Sequence, residues 1–142
     1  MMFQHILVAA DGSRHSQKAA SAAINLASKM GSSTVTLMHV VSKAPTKTQL
    51  LDARFDVRML LTEQAHQAIR QIEHDFRLNG IPFRLEVGLG DPAEEITAYA
   101  GRAAVDLIMI GSRGLSRLEE LVLGSVSHKV VQLSPCPVMV VK

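Results

Sequence analysis

Strand-like and helix-like patterns alternate from one end of this chain to the other, and that alternation limits the fold more than any other feature. Residues 3–10 are rich in strand formers, and Val105-Asp106-Leu107-Ile108-Met109-Ile110 closes on a short apolar run. A run that is apolar on both faces reads as a strand of a parallel sheet covered on both sides. Residues 34–41 place Val35, Leu37, His39 and Val41 on one face and Val40 on the other, 83–87 alternate through Phe83, Leu85 and Val87, and 138–141 form a fifth run. Helical spacings lie between the strands. Ser13 is a candidate N-cap for a helix carrying Ala19, Ala20, Ala23, Ile24, Ala27 and Met30, with Gly31 as its stop. Leu61, Ala65, Ala68, Ile69, Ile72 and Phe76 predict one helix over about 57–79, ended by Gly80. Asp91-Pro92-Ala93-Glu94 supplies an N-cap, a proline at the first helical position and an acid in the first turn. Ser116-Arg117-Leu118-Glu119 has the spacing of a capping box, and Ser125 opens a last helix to residue 133. Residues 42–56, with Lys43, Pro45, Lys47, Gln49 and Asp52, read as a mobile surface loop, with or without a helical start. Five strands joined by helical crossovers predict one α/β domain over residues 1–142: a doubly wound, five-stranded parallel sheet with helices on both faces.

Composition removes several classes of function. A chain of 142 residues, 47% hydrophobic and 20% charged, is an ordinary globular domain. No run approaches the roughly 20 apolar residues that span a bilayer. Met1-Met2-Phe3-Gln4-His5 lacks a cationic segment, so no signal peptide is expected. A lone cysteine, Cys136, excludes an internal disulfide and suits a reducing compartment, which predicts a cytoplasmic protein. Net charge is +2 without a dense Lys/Arg block, and aromatic content is 4% with no Trp. Neither nucleic acid nor an anionic membrane is therefore an expected partner.

The strongest functional signal is Gly111-Ser112-Arg113-Gly114 followed, after nine residues, by Gly124-Ser125. Glycine lets an oxyanion approach the main chain, and successive amides or a helix start supply partial positive charge without a lysine. At Ser125, capping and phosphate binding would use the same amides, so both readings stand.

The spacing G-x-x-G-(nine residues)-G-[S/T] resembles that of the nucleotide-binding branch of the universal stress protein family. The resemblance covers essentially the whole chain: Ile6-Leu7-Val8-Ala9-Ala10 ending in Asp11-Gly12-Ser13, His39-Val40-Val41, Gly90-Asp91-Pro92, Gly124-Ser125-Val126-Ser127 and Cys136-Pro137-Val138-Met139-Val140-Val141. It implies the strand order 3-2-1-4-5, which sets the first and fourth strands side by side where ligands bind in open sheets. It also implies ATP, with Mg2+ or Mn2+ carried on the phosphates. Gly114, Gly124, Ser125 and the Val126 amide would hold phosphate oxygens, and Ser127 would add a hydroxyl. Arg113 either adds a charge-assisted contact or faces solvent. Gly111 would allow close passage of the ribose. Ala10 and Asp11 lie at the same rim, Asp11 accepting from a ribose hydroxyl or holding a metal through water; its other reading is a turn-forming Asp-Gly pair. Val40 would read the adenine edge through its backbone. The implied function is a nucleotide-dependent stress-response sensor or adaptor; the alternative is a slow ATP hydrolase or phosphotransferase. The apolar C-terminal strand, Val138–Val141, predicts a homodimer by edge pairing.

Competing signals are weaker. Gly88-x-Gly90-x-x-Ala93 imitates a dinucleotide fingerprint, but Pro92 removes an amide the pyrophosphate needs, and no G-x-x-x-x-G-K-[ST] occurs. Glu63-x-x-His66 has the spacing of a di-iron ligand pair without a second copy, so His66 is expected on a solvated helix face with His74. His39 is expected to be a satisfied core histidine, and His128-Lys129 to lie on a solvated face. No Ser/His/Asp arrangement supports acyl transfer.

Overall fold

A computed structural model of the chain describes residues 3–112 and 124–142. The strands β1 (His5–Ala9), β2 (Thr34–Val41), β3 (Arg84–Leu89), β4 (Leu107–Gly111) and β5 (Val138–Val141) form one parallel sheet in the order β3-β2-β1-β4-β5. The helices are α1 (Arg14–Met30), α2 (Lys47–Asp52), α3 (Val57–Ala68), α4 (Arg70–Leu78), α5 (Pro92–Arg102) and α6 (Ser125–Leu133). This is the doubly wound arrangement expected from the alternation. Register is tight at the centre, where Ile6 pairs with Val35 and Leu107, and Val8 with Leu37 and Met109.

Two cores result because successive strand residues point to opposite faces. Ile6, Val8, Leu37 and Met109 face α1 and α4, whose Ala20, Ala23, Ile72 and Phe76 cover them. Leu7, Ala9, Met38, Ile108 and Ile110 face α5 and α6, meeting Ala93, Ile96, Ala100 and Val130. The alanines of α1 let that helix lie close to the sheet. Each fully buried large side chain contributes about 1.5–3 kcal/mol. Among the described residues, no helix is long and apolar enough to cross a membrane.

Helix ends follow the local chemistry. Ser13 Oγ accepts from Ser16 N–H at 3.1 Å, and Gly31, at φ 75°, ends α1 by donating to Ala27 O at 2.9 Å. Asp91 caps α5 with Pro92 in the first turn.

Four boundaries differ from expectation. The long helix is two, because Ile69 leaves helical geometry at φ −117°, ψ 25°. The loop at 42–56 contains α2, started by a capping box between Thr46 and Gln49. The third strand extends to Leu89 because Gly88 and Leu89 continue to pair with Val40 and Val41. The first strand starts at His5, where the amides of Gln4 and His5 donate to the carboxylate of Asp106 at 2.9 Å. The capping-box segment 116–119 lies outside the described residues.

Candidate functional site

The sheet opens at its carboxyl edge between β1 and β4. The chain leaves β1 into α1 on one face, while α6 lies on the other face, so the two strand ends part. The resulting cleft encloses about 90 Å3. Ala9, Met38 and Ile110 form its base, Pro92 and Ile96 of α5 one wall, and Val126 and Ser127 of α6 the other. Asp11, Val40 and Gly111 stand at the rim. Its walls are mainly apolar, as in most small-molecule pockets.

The turn after β1 is closed by hydrogen bonds. Ser13 N–H donates to Asp11 Oδ1 at 2.9 Å, and Asp11 N–H donates to Ser16 Oγ at 3.0 Å. This is the turn-forming role of an Asp-Gly pair. Asp11 Oδ2 has no protein partner among the described residues. Gly12, at φ 80°, has no space for a Cβ, which would lie 2.6 Å from the Ala68 carbonyl.

Val40 stands where a ladder ends. Ala10 N–H donates to Met38 O at 2.8 Å, so Met38 turns its polar groups toward β1. Gly90 N–H donates to Val41 O at 3.0 Å, so Val41 turns toward β3. Strand alternation therefore aims the N–H and C=O of Val40 at the β1 side. The Ala10 carbonyl, the next rung for Val40, instead accepts from His39 Nδ1 at 2.8 Å. His39 is thus satisfied by a hydrogen bond, as expected, but is half-buried rather than part of the core.

Ser112 joins the pieces on the other side. Its N–H donates to Val141 O at 2.8 Å, and its carbonyl accepts from Gly124 N–H at 2.7 Å and from Ser127 Oγ at 2.9 Å. Its hydroxyl meets His15 Nδ1 at 2.8 Å. Ser127, 2% exposed, thereby directs its hydroxyl proton at main-chain carbonyls and anchors α6. Gly111 owes its lack of a side chain to α1: a Cβ there would come within 2.6 Å of the His15 backbone. Gly124, rather than Ser125, is the N-cap of α6, and no side chain among the described residues caps the helix. The first amides of α6, at Ser125, Val126 and Ser127, precede the first helical bond from His128 N–H to Gly124 O. None of them has a partner among the described residues, and such amides suit an anion. Arg113 and Gly114 lie outside the described residues.

Charged groups of α5 and α6 pair beside the cleft. Lys129 of α6 reaches Asp91 at 3.2 Å and Glu94 at 3.4 Å, so it faces α5 and not the start of its own helix. The Glu94 N–H, and next the Lys129 ammonium, hold the Asp91 carboxyl below its ordinary range. Asp91 in turn raises Lys129. His66 is exposed, as expected, and its ring also bonds the buried carboxylate of Glu73. Sequence reasoning passed over Ser16, Met38, Pro92, Ile96, Ile110 and Ser112. Only Ser16 carried a local signal, at the third helical position after the Ser13 cap.

The site thus combines an apolar slot, an open strand rung and an uncapped helix start. Comparison with known proteins agrees with this architecture. The family model described as "Universal stress protein family" matches residues 2–142. The chain is 36% identical over 149 residues to the universal stress protein YxiE of Bacillus subtilis, covering 99% of this chain and 100% of the relative. The solved universal stress protein UspA from Lactobacillus plantarum superposes with a TM-score of 0.78 at 29% identity, over 100% of this chain and 99% of that one. Two more distant structures share the fold. A universal stress protein in complex with cAMP has a TM-score of 0.73 at 21% identity, with 100% of this chain and 98% of that one covered. The universal stress protein from Archaeoglobus fulgidus in complex with dAMP has 0.69 at 18%, with both chains covered in full. Fold, site architecture and full-length similarity lead to one conclusion: the chain belongs to the universal stress protein family.

Proposed function

We propose that this chain binds ATP in the cleft between β1 and β4 and acts as a nucleotide-dependent sensor or adaptor in a stress response. The observation that carries the reading is the open rung at Val40, whose N–H and C=O face a slot with apolar walls. An N–H beside a C=O matches the adjacent acceptor and donor on the edge of adenine, whereas guanine offers the opposite order. The enclosed 90 Å3 is well below the roughly 300–1,000 Å3 of a pocket that swallows a whole ligand. It suits the base, with sugar and phosphates lying along the rim. That two fold neighbours were solved with cAMP and dAMP, both adenine compounds, adds support.

In this reading the free oxygen of Asp11 accepts from a ribose hydroxyl or reaches, through water, a Mg2+ or Mn2+ ion carried on the phosphates. The amides of Ser125 and Val126 hold phosphate oxygens at the start of α6, with the Ser125 hydroxyl beside them. Gly114 and Arg113 complete the phosphate cradle. Ala10 and Gly111 border the sugar. Bound Mg-ATP would supply charge and shape for a partner to read. The protein would work in the cytoplasm as a homodimer paired through β5, one of the two edge strands of the sheet. Calorimetry with Mg-ATP tests the binding: saturable heat is expected, and no heat at millimolar nucleotide would end the reading.

A further inference from the structure

Glu73 is 3% exposed, the one charged side chain buried to that degree among the described residues. A carboxylate there is costly without partners. Both its oxygens meet His66 Nδ1, at 2.8 and 3.0 Å, and Oε2 lies 3.6 Å from the Arg77 guanidinium. His66 belongs to α3 and Glu73 to α4, so the pair spans the break at Ile69. The same break lies against the cleft rim. The carbonyl of Ala68, the last residue of α3, is 2.6 Å from where a Gly12 Cβ would be, so a Gly12 hydrogen points at it. Gly12 adjoins Asp11, whose Oδ1 is fixed by Ser13 N–H.

We infer that His66 and Glu73 are positioning residues for the site. By bridging the break they hold the Ala68 carbonyl against Gly12 and so set the direction of the Asp11 carboxylate. The mechanical link stands on geometry; its consequence for ligand binding rests on the nucleotide reading. A pair that served stability alone would leave the Asp11–Gly12 turn indifferent to its loss.

Amide NMR and calorimetry on variants of the whole chain separate these cases. His66→Ala is expected to displace the Gly12 and Ser13 amide signals and to weaken Mg-ATP binding about tenfold, equivalent to ~1.4 kcal/mol. His66→Asn, whose side-chain amide stands where Nδ1 does and can donate to Glu73, is expected to keep both near wild type. The double variant His66→Ala with Glu73→Leu removes the buried charge and regains stability, yet its Gly12 and Ser13 signals should stay displaced and its affinity low. It carries the comparison should the single variant fail to fold. Unmoved Gly12 and Ser13 signals, or affinity in the double variant that follows the melting temperature back to wild type, would overturn the inference. If the signals move as expected while the wild type binds no Mg-ATP, the nucleotide reading fails and the link stands.

Discussion

The Ala10 carbonyl accepts from the imidazole Nδ1 of His39 at 2.8 Å, in the place where the β1–β2 ladder would next take the main-chain N–H of Val40. A carbonyl only accepts, so Nδ1 carries the proton. The sheet thus ends on a satisfied oxygen and leaves the polar groups of Val40 toward the cleft.

Substitutions at Val40 separate backbone from side chain. Val40→Ala keeps the N–H and should hold Mg-ATP affinity within a few-fold. Val40→Pro removes the N–H at a strand position whose N–H lies outside the ladder, which proline tolerates. Loss of one hydrogen bond, about 0.5–1.5 kcal/mol, predicts affinity down by up to roughly tenfold with a melting temperature near wild type. Equal affinity in the two variants, by calorimetry, would contradict the role of the open rung.

Gly111 is a packing requirement as well as a rim residue. A Cβ would sit 2.6–2.7 Å from backbone and Cβ atoms of His15. Gly111→Ala should therefore destabilise the apo protein by about 1–3 kcal/mol, the usual range for overpacking. Urea unfolding without nucleotide measures it; an unchanged midpoint would refute the close approach.

Asp91 and Lys129 give stability a pH signature. Asp91 is lowered from its ordinary 3.8, chiefly by the Glu94 N–H and then by Lys129, so its contribution is full above that value and is lost as pH falls through the lowered one. Lys129 is raised from 10.5, chiefly by Asp91, so its contribution is full below 10.5 and is lost as pH rises through the raised value. Asp91→Asn keeps the cap and removes the charge. The wild type should hold a modest lead in urea midpoint over the neutral range. That lead should close in acid and shrink in strong alkali and in concentrated salt, because the pair is exposed. A lead independent of pH would show that the charges contribute nothing.

The free edge at β5 carries Met139, 40% exposed. An unprotected apolar edge invites pairing with a second copy, and a lysine there blocks it. Sedimentation should show wild-type dimers and Met139→Lys monomers at micromolar concentration. A wild-type monomer would contradict edge pairing.

The element order was legible because β1 and β4 carry short uninterrupted apolar runs, β2 and β3 alternate, and the flanks are marked by Gly, Ser and Pro. The bounds of β2, α6 and β5 follow from that directly. The break at Ile69 was not legible: Ala65, Ile69, Ile72 and Phe76 keep helical spacing across it, and Gly12, which meets the Ala68 carbonyl there, lies more than fifty residues upstream. At the site, Asp11, Gly124 and Val126 were visible as strand-end and helix-start chemistry, and Val40 through family resemblance. Met38, Ile96, Ile110 and Ser112 carry no local signal, since only the crossover topology brings them to one cleft. The direction of the Ser127 hydroxyl, toward Ser112 rather than the rim, depends on how α6 seats against β4.

Amide chemical-shift mapping of the isotope-labelled protein with Mg-ATP tests the central claim most directly. The account predicts that the signals of Asp11, Val40, Ser125 and Val126 move together and saturate, while those of the outer edge of β3 stay in place. No shifts at millimolar Mg-ATP, or shifts gathered away from the β1–β4 opening, would contradict it.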